Sequence, residues 1–143
     1  MKISQEAIDQ IKKFESFRSH AYLDAVGVPT IGYGHISGVK MGDVCTELQA
    51  EEFLKQDMIP GEKAIERLIR VPITQGQLDA CQDFCFNLGT GSFARSSLLR
   101  LINDKKFIDA AEDFGQWIHA GGKVLPGLII RREWEKKRFL GLI

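Results

Sequence analysis

One stretch of this chain breaks the helical pattern that governs the rest. From about Arg18 to Val39, Gly27, Gly32, Gly34 and Gly38 punctuate residues that favour strands, among them Tyr22, Val28, Thr30, Ile31 and Tyr33. The mixture reads as strands around residues 19–25 and 28–33 with a turn at Gly27. Gly32 and Gly34 flank Tyr33, so the backbone there can approach a neighbour closely or take unusual dihedrals. In a hairpin turning on Gly27, Asp24 and Thr30 are expected to lie opposite one another and to face the same side.

Helical signals surround this stretch. Ser4 can cap a first helix, Ile3 and Ile8 occupy the positions of a hydrophobic staple, and Ile8, Ile11 and Phe14 recur at helical spacing. Thr46 with Gln49, and Thr74 with Gln77, spell capping boxes that open helices over about 47–59 and 75–87. Pro60 and Gly61 interrupt the former, leaving a further piece over about 61–69. Leu78, Cys81, Cys85 and Leu88 form one apolar face; Phe107, Ala110, Ala111, Phe114 and Ile118 form another, in a helix expected to end at Gly121-Gly122. A last helix is expected over about 127–140, with Leu128, Ile130, Trp134 and Phe139 as its buried positions.

Bulk properties narrow the class. At 143 residues the chain matches one ordinary domain and can bury a core without staples. Nineteen Lys and Arg balance nineteen Asp and Glu, which argues against a nucleic-acid surface, although Arg131, Arg132, Lys136, Lys137 and Arg138 crowd the C-terminus. The odd set Cys45, Cys81 and Cys85 fits reduced core thiols, and no His stands near enough in sequence to complete a zinc pattern; neither metal nor cofactor is expected. No run approaches the ~18 apolar residues of a membrane span, and the start lacks a signal-peptide stretch. The expectation is therefore a cytoplasmic protein without stable membrane association.

Glu15 lies four residues after Ile11 and seven after Ile8, at the edge of the first helix's apolar stripe. A carboxyl held there is partly desolvated, and desolvation disfavours the charged form. Asp24 ends the first strand, and Thr30 adds a hydroxyl in the second. Glycoside hydrolysis needs a proton for the leaving oxygen and an activated nucleophile for the anomeric carbon. Two carboxyls in unlike environments divide that labour, and a hydroxyl can help hold the attacking water. Each residue alone has an ordinary structural explanation; the combination carries the chemistry.

The spacing Glu15, Asp24, Thr30 resembles the catalytic triad of T4-type phage lysozymes, glycoside hydrolase family 24, and the likeness extends from about residue 4 to 140. It includes Phe14-Glu15-Ser16-Phe17, Ala21-Tyr22-Leu23-Asp24-Ala25-Val26-Gly27 and Thr30-Ile31-Gly32-Tyr33-Gly34-His35. Phe86-Asn87-Leu88-Gly89-Thr90-Gly91-Ser92-Phe93, Gly121-Gly122-Lys123-Val124-Leu125-Pro126-Gly127-Leu128 and Arg131-Arg132-Glu133 are similar too, and the lambdoid branch is the nearest. The resemblance implies an α+β, mostly helical, lysozyme-like two-lobed fold: one lysozyme domain over 1–143, with a small β-hairpin lobe over about 15–58. A helical lobe of about 60–143 plus the N-terminal helix completes it, around a substrate cleft.

It further implies Glu15 as general acid, Asp24 as the residue that activates water, and Thr30 as its hydroxyl partner. His35 would sit beside Glu15, and Ile36, Phe86, Ser97 and Asp113 would line the sugar-binding cleft. The implied activity is hydrolysis, with inversion, of the β-1,4 bond between N-acetylmuramic acid and N-acetylglucosamine in bacterial peptidoglycan, for host-cell lysis. The protein would act as a monomer, held in the host cytoplasm until a separate membrane-permeabilising protein releases it to the periplasm and cell wall. Three features depart from relatives: Ile130 where an Arg is common, Ala94 likewise, and a neutral net charge. The alternatives are a lytic transglycosylase, which has no use for a water-holding pair, and an inactive peptidoglycan-binding module, in which Glu15 or Asp24 would be expected to be lost.

Overall fold

The computed structural model describes residues 1–143, mostly helical with two small antiparallel sheets. The chain forms two compact units: Ile8–Ile59, and Met1–Ala7 together with Pro60–Ile143. Helix α1 (Gln5–Glu15) straddles the division. Its N-cap is Ser4, whose Oγ accepts the Ala7 N–H at 3.2 Å. It ends where Ser16 takes a φ of +60°.

In the Ile8–Ile59 unit, β1 (Arg18–Leu23) pairs antiparallel with β2 (Pro29–Gly32). Tyr22 stands opposite Thr30 and Leu23 opposite Pro29, so the expected pairing of Asp24 with Thr30 is displaced by two residues. The cause is the Asp24 side chain. Its Oδ1 accepts the N–H groups of Val26 at 2.9 Å and Val28 at 2.8 Å, while the Asp24 carbonyl accepts from Gly27 at 3.0 Å. A side chain that mimics backbone in this way closes the turn early and ends the strand at Leu23. Tyr22 is therefore the residue directly across from Thr30, and Asp24 lies in the turn just beyond the strand end. Helix α2 (Glu47–Asp57) carries the full Thr46–Gln49 capping box and packs on β2. A Cβ at Gly32 would lie 3.0 Å from the Ala50 Cβ, so a side chain here would crowd α2.

In the other unit, α3 (Ile59–Leu68) begins directly after α2; Pro60 lies in its first turn, where no helical N–H is lost. Helix α4 (Gln75–Leu88) has its Thr74–Gln77 capping box and is buried on all sides from Gln77 to Cys85. Helices α5 (Thr90–Arg95) and α8 (Pro126–Phe139) pack against it, and α6 (Ser97–Asn103) and α7 (Phe107–Asp113) pack on each other and contribute to the same core. Phe84 on α4 is the hub: Phe93, Phe114 and Trp117 meet its ring edge-on at 6.1, 5.9 and 5.2 Å, an arrangement aromatic quadrupoles favour.

The fold departs from the sequence expectations in three places. Helices α5 and α6 occupy a stretch in which the sequence predicts no element; fully buried Phe93 anchors α5, and the Ser96 hydroxyl caps α6 by accepting the Leu99 N–H at 3.1 Å. Gly121-Gly122 does not end a helix. Helix α7 stops at Asp113, a 3₁₀ turn covers Phe114–Gln116, and the two glycines make the tip of a second hairpin, β3 (His119–Ala120) with β4 (Lys123–Val124). Their φ values of +58° and +79° suit a tight hairpin turn. On α8, Ile130 is 63% exposed, while Arg131, Arg132 and Glu135 are buried with Phe139. The facing helix α4 presents the buried carboxylates Asp79 and Asp83, so α8 turns charge inward. Arg131 binds Asp83 bidentately at 2.7–3.1 Å, and Arg138 reaches Asp79 at 2.8 Å.

The C-terminal cations are thereby engaged. Arg132 pairs with Glu135 at 2.6 Å, Lys136 with Glu112 at 2.8 Å and Lys137 with Glu133 at 3.9 Å. Arg138 also donates to Ser4 Oγ, Glu6 and the Ile143 carbonyl. All three cysteines are free and buried. No helix is long and apolar enough to cross a membrane.

Candidate active site

The hairpin positions two of the sequence-derived residues with one contact each to the same neighbour. Asp24 Oδ1 accepts the Val28 N–H at 2.8 Å, and Thr30 Oγ1 donates to the Val28 carbonyl at 2.9 Å. Thr30 is buried and Asp24 half-buried. Both backbone bonds to the Asp24 carboxyl fall on Oδ1, which fixes the carboxyl plane and spares Oδ2. A carboxylate oriented by backbone donors, and a hydroxyl that shares its neighbour Val28, can hold a water by two points.

Glu15, the last residue of α1, is half-buried. Its carboxyl lies against Gly34, where an added Cβ would stand 3.6 Å from Oε1. Gly34 has a φ of +83°, so the turn itself favours glycine, while a Cβ there would meet Glu15 only at ordinary van der Waals distance. His35 is buried, and its Nδ1 donates to the Asp57 carboxylate at 2.8 and 3.0 Å. Its ring stacks on Phe53 at 4.3 Å. Asp57 carries no signal in the sequence: it sits 22 residues from His35 in the last turn of α2, and no spacing rule connects the two. Ile36 is 55% exposed.

Phe86, Ser97 and Asp113 belong to the Pro60–Ile143 unit. Ser97 Oγ donates to the buried Asp113 carboxylate at 2.8 and 2.9 Å. Gln116, not singled out in the sequence, also donates to Asp113, at 2.7 Å. Phe86 is half-buried at the end of α4. No group of three or more His, Cys, Asp or Glu is placed to hold a metal ion.

Comparison with known proteins agrees with this architecture. The phage lysozyme family model matches residues 12–135. An endolysin of Bacillus phage B103 is 41% identical over 98% of this chain, which spans 54% of that relative's length. An endolysin of Acyrthosiphon pisum secondary endosymbiont phage 1 is 40% identical over 97% of this chain and 98% of its own. Among solved structures, the muramidase domain of SpmX from Asticcacaulis excentricus superposes with a TM-score of 0.92 at 37% identity, over 97% of each chain. Similarity that covers the helices, the hairpin and most of the length leaves one assignment: the chain belongs to the phage lysozyme family and is a lysozyme-type enzyme.

Proposed function

We propose that the chain hydrolyses the β-1,4 bond between N-acetylmuramic acid and N-acetylglucosamine in bacterial peptidoglycan. The relatives' names, endolysin and muramidase domain, support the substrate class. The observation that carries the mechanism is the shared grip of Asp24 and Thr30 on Val28. With Oδ1 bound to backbone, Asp24 Oδ2 and the Thr30 hydroxyl can orient a water for attack on the anomeric carbon. Glu15 gives its proton to the leaving oxygen. Water adds from the face opposite the leaving group, so the configuration inverts. Ser97, Asp113 and Phe86, with Ile36 and His35, are assigned to the glycan, and the reaction so written calls on no metal or cofactor. A transglycosylase closes the sugar on itself and has no role for the Asp24–Thr30 pair.

The anomer first formed from a short glycan, followed by NMR before mutarotation, tests this reading. An α product is expected. A β product, or an anhydro-sugar end in the muropeptides, overturns it. The protein is proposed to accumulate in the host cytoplasm and to act as a monomer once a separate membrane-permeabilising protein admits it to the wall. Expression alone should then leave cells intact; prompt lysis that stops when protein export is blocked overturns that part.

A further inference from the structure

Within the Ile8–Ile59 unit, a cavity of about 300 Å³ opens between the loop after β2 and helix α2. The volume sits at the lower end of the range for small-molecule sites, about 300–1,000 Å³. Ile31, Val39, Val44 and Phe53 supply apolar wall, and His35 and Asp43 supply polar groups. The His35 side chain is only 8% exposed, and its Nδ1 is bound to Asp57. A carboxylate accepts only, so Nδ1 carries the hydrogen, and in the neutral ring Nε2 is an acceptor. Nε2 has no protein partner, yet it is not sealed from solvent. Asp43 spends one oxygen, Oδ2, on the Lys40 N–H at 2.9 Å and keeps the other. No Lys or Arg lines the cavity.

An imidazole acceptor and a carboxylate, on apolar walls with no cation among them, ask for a ligand that donates hydrogen bonds, carries positive charge and has a short aliphatic body. We propose that this cavity is a binding site for a primary aliphatic ammonium group. Its carbon stem packs on Ile31, Val39, Val44 and Phe53, and its nitrogen donates to Asp43 and to His35 Nε2. The proposal is distinct from the hydrolytic chemistry of Glu15, Asp24 and Thr30; His35, also assigned to the glycan, is the residue that the two readings share. The bond to Asp57 fixes the orientation of the ring and, in its neutral form, the tautomer that leaves Nε2 an acceptor.

The test is titration of the full ¹⁵N-labelled chain with n-pentylammonium, with n-pentanol as the neutral match and Asp43→Asn as the variant. An Asn carbonyl can still accept the Lys40 N–H, so the loop should keep its shape. The amides of Ile31, Val39 and Val44 are expected to shift saturably with n-pentylammonium. Asp43→Asn should weaken that binding about fivefold, the scale of one partly exposed charge contact, and the alcohol should bind more weakly than the amine. His35→Gln, checked for folding by its amide spectrum, should weaken it as well. Absence of saturation in the unmodified chain, equal affinity of amine and alcohol, or an unchanged affinity in Asp43→Asn overturns the proposal.

Discussion

Arg132 and Glu135 face each other at 2.6 Å across one turn of α8, with side-chain exposures of 1% and 0%. Arg132 is further held by Asn87 at 2.7 Å and by the Trp117 carbonyl at 3.3 Å. Burial and the nearby Asp83 charge push the Glu135 carboxyl well above the usual carboxylate range, with Arg132 and Arg131 acting against them. Removing one partner of such a buried pair leaves an uncompensated charge, so the pair is a point of high sensitivity.

That sensitivity has a direction in pH. A carboxyl with a raised folded-state pKa binds its proton more tightly in the native protein. Its contribution is fully present below the unfolded value of about 4.5 and fades as pH rises through the folded value. Urea unfolding at pH 5 and pH 8 should therefore show a loss of stability with rising pH that is smaller in Glu135→Gln. A loss as large in the variant would remove Glu135 from the explanation.

Asp24→Asn separates chemistry from folding. The Asn carbonyl can keep the N–H bonds of Val26 and Val28, so thermal stability should hardly change, while turnover should fall by about a hundredfold or more. Glu15→Gln should abolish turnover with the fold intact. Turbidity clearing and a melting curve on the same samples make the comparison. Full activity in either variant contradicts the assigned role.

Two glycines should differ in cost. Gly32 and Gly27 both have positive φ, +66° and +84°, but only Gly32 abuts Ala50; nothing lies within 4 Å of a Cβ at Gly27. Gly27→Ala is expected to lose about 1–2 kcal/mol from backbone strain alone, and Gly32→Ala more, since its Cβ also crowds Ala50 on α2. Chemical denaturation of the two variants gives the order directly.

The thiols should be quiet. Cys81 and Cys85 lie in the core cluster, where burial pushes Cys85 up to about 12 and Cys81 well above its usual range. Thiolate is the reactive form. Neither residue should react with a disulfide reagent until the protein unfolds, and reductant should leave activity unchanged. Rapid labelling of either in the native protein would be incompatible with the core position.

Local chemistry is the legible part of the sequence. Both Thr–Gln boxes form as written, because a cap is settled within four residues. The hairpin is legible as an element, but not its register: the Asp24 side chain outcompetes Gly27 for control of the turn, and side-chain capture leaves no periodic trace. Helix α8 defies its apolar spacing, because Asp79 and Asp83 on α4 make its buried face ionic. For the same reason Asp57 and Gln116, each joined to a partner by folding, carry no sequence signal. Glu15, Asp24 and Thr30 stand out through the resemblance and the chemistry of their combination; spacing alone leaves each an ordinary residue.

The knot of Ser4, Asp79 and Arg138 also imposes an order of events at the ribosome. Ser4 gives both its N–H and its hydroxyl to Asp79, and Arg138, 134 residues further on, donates to the same hydroxyl. Glu6 likewise waits for Arg138, 132 positions away. Met1–Ala7 belong to a unit whose helix α8 emerges long after them, while Ile8–Ile59 can complete its own contacts first. A chain stalled before α8 thus lacks the partner that fastens Ser4, and the unit containing α4 and α8 closes only after α8 has emerged.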